Sequence, residues 1–150
     1  MEAGNVFSVD VEEWFHILDT DRAPEEAAWD RQEERVLRNT RALLELLDGR
    51  GVRGTFFVLG WVAERHPELV REIADRGHEI ASHGHRHRLV YQQSPEEFRD
   101  ELRRAQDAIH AACDAVPRGF RAPGFSVRSD CLWALDVLVE EGFTYDSFIF

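Results

Sequence analysis

The chain has 150 residues, 43% hydrophobic and 31% charged, which allows one domain with a real core and shows no repeat or low-complexity tract. Its 18 basic against 29 acidic residues give a net charge of −11, so it lacks the basic surface a nucleic-acid backbone needs and better suits a neutral ligand or a cation. No apolar run approaches the roughly 20 residues that span a bilayer, and Met1–Asn5 lacks the basic and apolar parts of a signal peptide. A soluble, cytoplasmic protein without a transmembrane segment is expected.

Short β-like runs alternate with amphipathic helices. Val6 to Val9 reads as a first strand ending at Asp10, followed by an irregular acidic and aromatic stretch to about Asp30. Apolar residues at Val36, Leu43, Leu44, Leu46 and Leu47 mark a helix from Gln32 to Leu47, stopped by Gly49 and Gly51. Gly54 to Leu59, aromatic and β-branched, is a second strand. A helix from Ala63 to Arg76 ends at Gly77, and His78 to Ala81 is a third strand. Ser94 is the expected N-cap of the next helix, with Pro95 at its first position and Glu97 completing a capping box, running to about Ala112. A fourth strand ends near Phe120-Arg121 and leads into a Pro-Gly loop, Ala122 to Val127. Ser129 or Asp130 is expected to cap a helix that ends at Gly142, and Phe143 to Phe150 reads as a fifth strand. Cys113 and Cys131 fall on predicted helices without Cys-x-x-Cys spacing and are expected to be reduced thiols.

This alternation predicts an α/β fold with a parallel sheet and right-handed crossovers. An open doubly wound sheet and part of a (β/α) barrel both fit. The barrel is favoured because no Gly-x-Gly-x-x-Gly turn follows the first strand, and because the chain ends on an apolar strand with no cover. The chain is therefore expected to be a single domain truncated at its C-terminus.

The carboxyl ends of parallel strands share one edge, where active sites are built. Asp10 and Glu12 follow strand one, His83, His85 and His87 follow strand three, Arg121 follows strand four and Asp146 lies in strand five. On a turn of helix, His83 and His87 at i and i+4 would share a face, about 6 Å apart at Cβ, while His85 points elsewhere. Two imidazoles and a carboxylate make a hydrolytic metal site with open positions, for Zn²⁺ first and Co²⁺ or Ni²⁺ as alternatives. A solvated loop rich in His and Arg is the competing reading. In an extended segment Asp10 and Glu12 point the same way while Val11 turns into the core. The longer Glu12 is expected to be the ligand, with Glu13 in reserve, and Asp10 the base. Arg121, held by the Pro-Gly turn, is expected to orient Asp10 through a bidentate salt bridge. Trp14, Phe15 and His16 suit the lining of a sugar groove, or else simply cover a core.

Together these segments resemble the polysaccharide deacetylases of the NodB-homology type, carbohydrate esterase family four. Phe7 to Glu12 matches that family's first motif in variant form, with Val11 between the two carboxylates. His83 to His87 resembles its His-(Ser/Thr)-x-x-His motif, with Gly84 at the Ser/Thr position, and Arg121-Ala122-Pro123-Gly124 resembles its Arg-x-Pro loop. The run Val11-Glu12-Glu13-Trp14-Phe15-His16 is similar to the branch associated with exosortase-linked exopolysaccharide loci. The resemblance implies a distorted (β/α) barrel with fewer than eight strands, of which this chain is an N-terminal portion. It implies metal ligands at Glu12, His83 and His87, catalytic roles for Asp10 and Arg121, and substrate contacts from Trp14, His16, Pro123, Gly124 and Phe125. The implied reaction removes N-acetyl groups from a polysaccharide: metal-bound water, deprotonated by Asp10, attacks the acetamide carbonyl, and a His beyond Phe150 protonates the leaving amine. Two other functions fit the sequence, an amidohydrolase acting on a small cyclic amide and a non-catalytic carbohydrate-binding or inactive fragment.

Overall fold

The computed structural model describes residues 5–18 and 20–147. Five parallel strands, β1 (Ser8–Val11), β2 (Thr55–Val58), β3 (Glu79–Ser82), β4 (Gly119–Phe120) and β5 (Tyr145–Asp146), form one sheet in strictly sequential order. Around it lie α1 (Val36–Asp48), α2 (Gly60–Arg65), α3 (Pro67–Asp75), α4 (Pro95–Cys113) and α5 (Trp133–Glu140). A doubly wound sheet must reverse its strand order once to place helices on both faces. Sequential order with right-handed crossovers keeps them on one face, which is the winding of a (β/α) barrel.

Strand alternation divides the two faces. Val11, Phe56, Val58 and Ile80 join Leu44, Leu47, Val62, Leu69, Ile73 and Ile109 in a core between sheet and helices. Asp10, Phe57 and Ala81, paired across β1, β2 and β3, project to the opposite face. A second core joins β4 to α4 and α5 through Phe98, Leu102, Phe120, Leu138 and Phe143. The catalytic carboxylate candidate therefore stands on the face that a barrel would enclose.

Several boundaries differ from the sequence reading, each for a local reason. The first strand lies two residues further on, at Ser8–Val11, where register with β2 is set by burial of Val11. The expected helix from Ala63 to Arg76 is two helices meeting at His66, because Pro67 disfavours the helical conformation in the residue before it and opens α3 as its first residue. α1 starts at Val36, not Gln32; residues Glu26–Arg31 form a separate 3-10 helix that places Trp29 in the interior. Neither Ser129 nor Asp130 caps α5: Asp130 is bonded to Arg128 instead, and the helix begins at Trp133 after Leu132. Ser94 and Glu97 do form the capping box of α4. Both cysteines are free thiols, with Cys113 ending α4 and Cys131 preceding α5 instead of lying on it. The fifth strand is Tyr145–Asp146, and the apolar end expected for it, residues 148–150, lies outside the described residues. No helix among the described residues is long and apolar enough to cross a membrane.

Candidate metal centre

His83 and His87 come together through a loop, not the helical turn that their spacing suggested. The ladder continues one residue beyond β3, with the His83 N–H donating to the Val58 carbonyl at 3.0 Å. Positive φ at Gly84 (78°) and at His87 (56°) then turns the chain back. The two imidazoles end with ring centroids 5.0 Å apart. Glu12, one residue past β1, reaches the same point, and one donor atom from each of Glu12, His83 and His87 lies within 4.8 Å of the others.

The donor chemistry of this trio fits a divalent cation. His83 Nδ1 lies 2.7 Å from the Arg121 carbonyl oxygen, an acceptor, so the ring proton is held there and Nε2 keeps its lone pair for a metal. Glu12 Oε2 is buried with no hydrogen-bond donor aligned to it, 3.0 Å from His87 Nε2. An orphaned buried carboxylate oxygen is costly in a fold unless a cation or water satisfies it. Burial works to raise the Glu12 carboxyl, but contact with His87 and the nearby His83 and His16 rings outweighs it, and the net direction is down. Burial lowers the His83 pKa against the opposing pull of Asp10, which favours the neutral imidazole a metal requires.

Asp10 and Arg121 meet beside this trio. Arg121 Nη1 donates to Asp10 Oδ1 at 2.7 Å, while Nη2 donates to Ser8 Oγ and Ser147 Oγ, both at 2.8 Å. The expected bidentate bridge is thus a single bond, because the other arm of the guanidinium is taken by two hydroxyls. Its Cζ lies over the Phe57 ring, 4.1 Å from the centroid, which supports it above the sheet. Asp10 Oδ2 is left on the side of the trio, 3.9 Å from His83 Nε2. Ser8 and Ser147 went unnoticed in the sequence; Ser8 had a usable signal, since alternation puts it on the same face as Asp10.

Asp10, Glu12, His83, His87 and Arg121 line a cavity of about 230 Å³, with Ile17, Leu18, Ala122, Gly124 and Phe125 as its apolar wall. Gly124 and Phe125 thus stand where they were expected, whereas Pro123 is buried behind them. Trp14 lies outside this cavity. It is 46% exposed, donates to the Glu33 carbonyl at 2.9 Å, stacks under Arg35 and lines an adjoining groove along α1. His16 is not a groove residue: it is buried against Trp29 and Trp61 and packs behind His87, so no ring face is open to a sugar. Its Nδ1 accepts the Glu13 N–H at 3.0 Å, and burial pushes its pKa down to about 3 against the opposing charge of Glu12. Phe15, also buried, belongs to the same aromatic packing.

Glu13 is neither a reserve ligand nor a surface charge. It is 2% exposed, and its carboxylate accepts the backbone N–H groups of Arg35 (2.8 and 2.9 Å) and Val36 (2.9 Å), which open α1. No side chain of the helix's own N-cap does this work, so Glu13 caps α1 from 22 residues away. Glu13→Ala should lower stability by about 2 kcal/mol in urea unfolding, since it strands buried N–H donors. A loss below about 0.5 kcal/mol would show that water replaces the cap without cost.

Comparison with known proteins bears on the same residues. The family model for polysaccharide deacetylase matches residues 28–144, a span that includes His83, His87 and Arg121. The chain belongs to the polysaccharide deacetylase family. Asp10 and Glu12 precede the matched span, so their place in the site rests on the geometry above. Among relatives of this deacetylase-family chain, a chitooligosaccharide deacetylase of Bradyrhizobium sp. (strain ANU 289) is 38% identical over 100 residues, 66% of this chain and 43% of its own length. A crystal structure assigned as a polysaccharide deacetylase from Mycobacterium smegmatis superposes with a TM-score of 0.80 at 34% identity, covering 96% of this chain and 50% of that one. A family 4 carbohydrate esterase from Streptomyces lividans, solved with acetate, gives a TM-score of 0.64 at 32% identity over 71% of this chain and 54% of its own. The chain spans less than half the length of the Bradyrhizobium relative and half that of the M. smegmatis chain. The five-stranded sheet corresponds to part of the (β/α) barrel of these neighbours.

Proposed function

We propose that this chain carries the metal and base of a polysaccharide N-deacetylase, which hydrolyses the acetamide of an N-acetylated sugar to acetate and an amine. The observation that carries the reading is the convergence of Glu12, His83 and His87 within 4.8 Å, beside an Asp10 oriented by Arg121. Two imidazoles, which are borderline donors, and one carboxylate make a set that suits Zn²⁺, with Co²⁺ and Ni²⁺ as substitutes. Held by these three residues, the ion supplies a Lewis acid for the acetamide carbonyl and makes water acidic near neutral pH.

The protein's own groups do the rest. Asp10 Oδ2, the oxygen that Arg121 leaves free, takes the proton of the attacking water. Arg121 keeps Asp10 in place through one hydrogen bond while Ser8 and Ser147 hold its second arm. Ile17, Leu18 and Phe125 give the cavity an apolar wall against which the acetyl methyl and sugar ring pack. Because the chain spans 43% of the Bradyrhizobium relative and 50% of the M. smegmatis chain, the activity is proposed for the whole protein that contains it, with the proton donor to the amine assigned on this reading to the rest of that protein. The single NodB-like domain is on this reading represented here by its N-terminal part.

The test is metal-dependent acetate release. The complete gene product, stripped with a chelator, should take up about one equivalent of Zn²⁺ and regain acetate release from N-acetylglucosamine oligomers. Undiminished acetate release after full stripping would overturn the metal role, and failure to bind Zn²⁺ at micromolar concentration would overturn the site.

A further inference from the structure

The loop that carries both histidines is held by groups that do not line the cavity. His87 sits at φ 56°, a conformation that costs a residue with a Cβ of order 1 kcal/mol unless its surroundings impose it. Gly60 and Trp61, the opening residues of α2, donate their N–H groups to the carbonyls of Gly84 (2.8 Å) and His85 (3.0 Å). The Arg86 N–H, one residue before His87, donates to Glu101 Oε2 on α4 at 2.9 Å. Between these two grips lies the His85 ring, fully buried, with Nε2 3.0 Å from Glu64 Oε1. Glu64 is in turn fastened by Arg104 through two bonds of 3.0 and 3.1 Å. The fit behind the ring is close: a Cβ at Gly60 would lie 2.6 Å from His85 Cδ2 and 2.7 Å from the Ala105 backbone.

We propose that His85 and Glu101 are positioning residues for the metal centre, fixing the His83–His87 loop so that its two imidazoles are presented before any ion arrives. The proposal rests on the metal reading above. His85 is itself gripped through its carbonyl by Trp61 and stands next to Arg86, so its ring, wedged between Gly60 and Glu64, locks the loop against α2, while Glu101 locks the approach to His87 against α4. A ligand that must be reordered on binding weakens affinity, and groups behind the ligands commonly set it by about 10- to 100-fold. Nothing in this frame faces the substrate cavity, so its effect is on the metal and not on the sugar.

The experiment compares His85→Phe, Glu101→Ala and Glu101→Gln with the complete wild-type protein, using Zn²⁺ affinity by chelator competition and the visible d–d spectrum of the Co²⁺ form. His85→Phe keeps the ring volume but loses Glu64, and Glu101→Gln keeps an acceptor for the Arg86 N–H that Glu101→Ala removes. Expected are Zn²⁺ affinities lower by about 10- to 100-fold and altered Co²⁺ bands in His85→Phe and Glu101→Ala, with both restored in Glu101→Gln. A purely structural role would change melting of the metal-free protein while leaving the Co²⁺ spectrum as in wild type, and that result overturns the proposal. If His85→Phe fails to fold, the Glu101 pair decides alone, since Glu101 is only partly buried. Wild-type protein that binds neither ion overturns the metal site and this proposal with it; variants that match a metal-binding wild type overturn the positioning role only.

Discussion

Alanine at His83 is expected to lower Zn²⁺ affinity by about 10²- to 10³-fold. A four-ligand zinc site stabilises its ion by about 10–16 kcal/mol, so one ligand contributes about 3–4 kcal/mol, and each 1.4 kcal/mol is a factor of about ten. His83 should fall at the upper end of that range. Its Nδ1 is tied to the Arg121 carbonyl, so its Nε2 is set for the ion without reordering, and its ring is almost fully buried. His87→Ala should behave alike, with a difference in the metal-free protein: removing a side chain from a residue at φ 56° relieves little, and glycine there should stabilise the loop where alanine does not. Chelator competition on the complete protein measures both. Affinity equal to wild type in His83→Ala would remove His83 from the ligand set and place the bound ion outside the Glu12, His83 and His87 trio.

The strand edge that gathers the site could be read from periodicity alone, because a buried parallel strand writes itself as a short apolar run. Thr55 to Val58 shows this plainly. What alternation cannot reveal is the path of the chain after the strand ends. Spacing of four suggested a helical turn for His83 and His87, yet the same convergence arises from a loop reversed at Gly84 and His87. The two side chains converge as expected while the backbone takes another path, since several conformations can bring side chains four apart to one point. Glu13 shows the opposite failure. Next to Glu12 in sequence it looks like a second ligand, but the turn at Trp14–His16 sends it to the N-terminus of α1. Its partners are backbone N–H groups 22 and 23 residues away, which carry no residue-type signal. His16 was misplaced for a related reason: an aromatic residue that closes a core and one that lines a groove have the same composition. Trp29 and Trp61, which enclose it, come from segments that only the fold brings together. The strict order of the strands, which separates a barrel arc from a doubly wound sheet, likewise lies in packing and not in any local pattern.

Asp10→Asn is expected to reduce acetate release by about 10²- to 10⁴-fold, the usual worth of a positioned general base, while Zn²⁺ affinity changes by less than about tenfold. The prediction follows from how the two oxygens of Asp10 are used. Oδ1 accepts from Arg121, and asparagine keeps an oxygen there of the same reach. Oδ2 becomes an amide nitrogen, which has no lone pair to take a proton from water. Asp10 stands outside the trio whose donor atoms lie within 4.8 Å of one another, so the ion keeps its ligands. Arg121→Lys separates orientation from charge. Lysine keeps the cation but loses the fork to Ser8 and Ser147 and the flat contact on Phe57, so Asp10 keeps its chemistry and loses its fixed direction. A loss of activity smaller than that of Asp10→Asn, at unchanged Zn²⁺ affinity, is the expected result. Loss of zinc in Asp10→Asn would instead make Asp10 a ligand, and the base would then have to be sought elsewhere on the cavity wall. The carboxylate 3.0 Å from His87 would be the first to test, since Glu12 would then be the acid group left without an ion to bind.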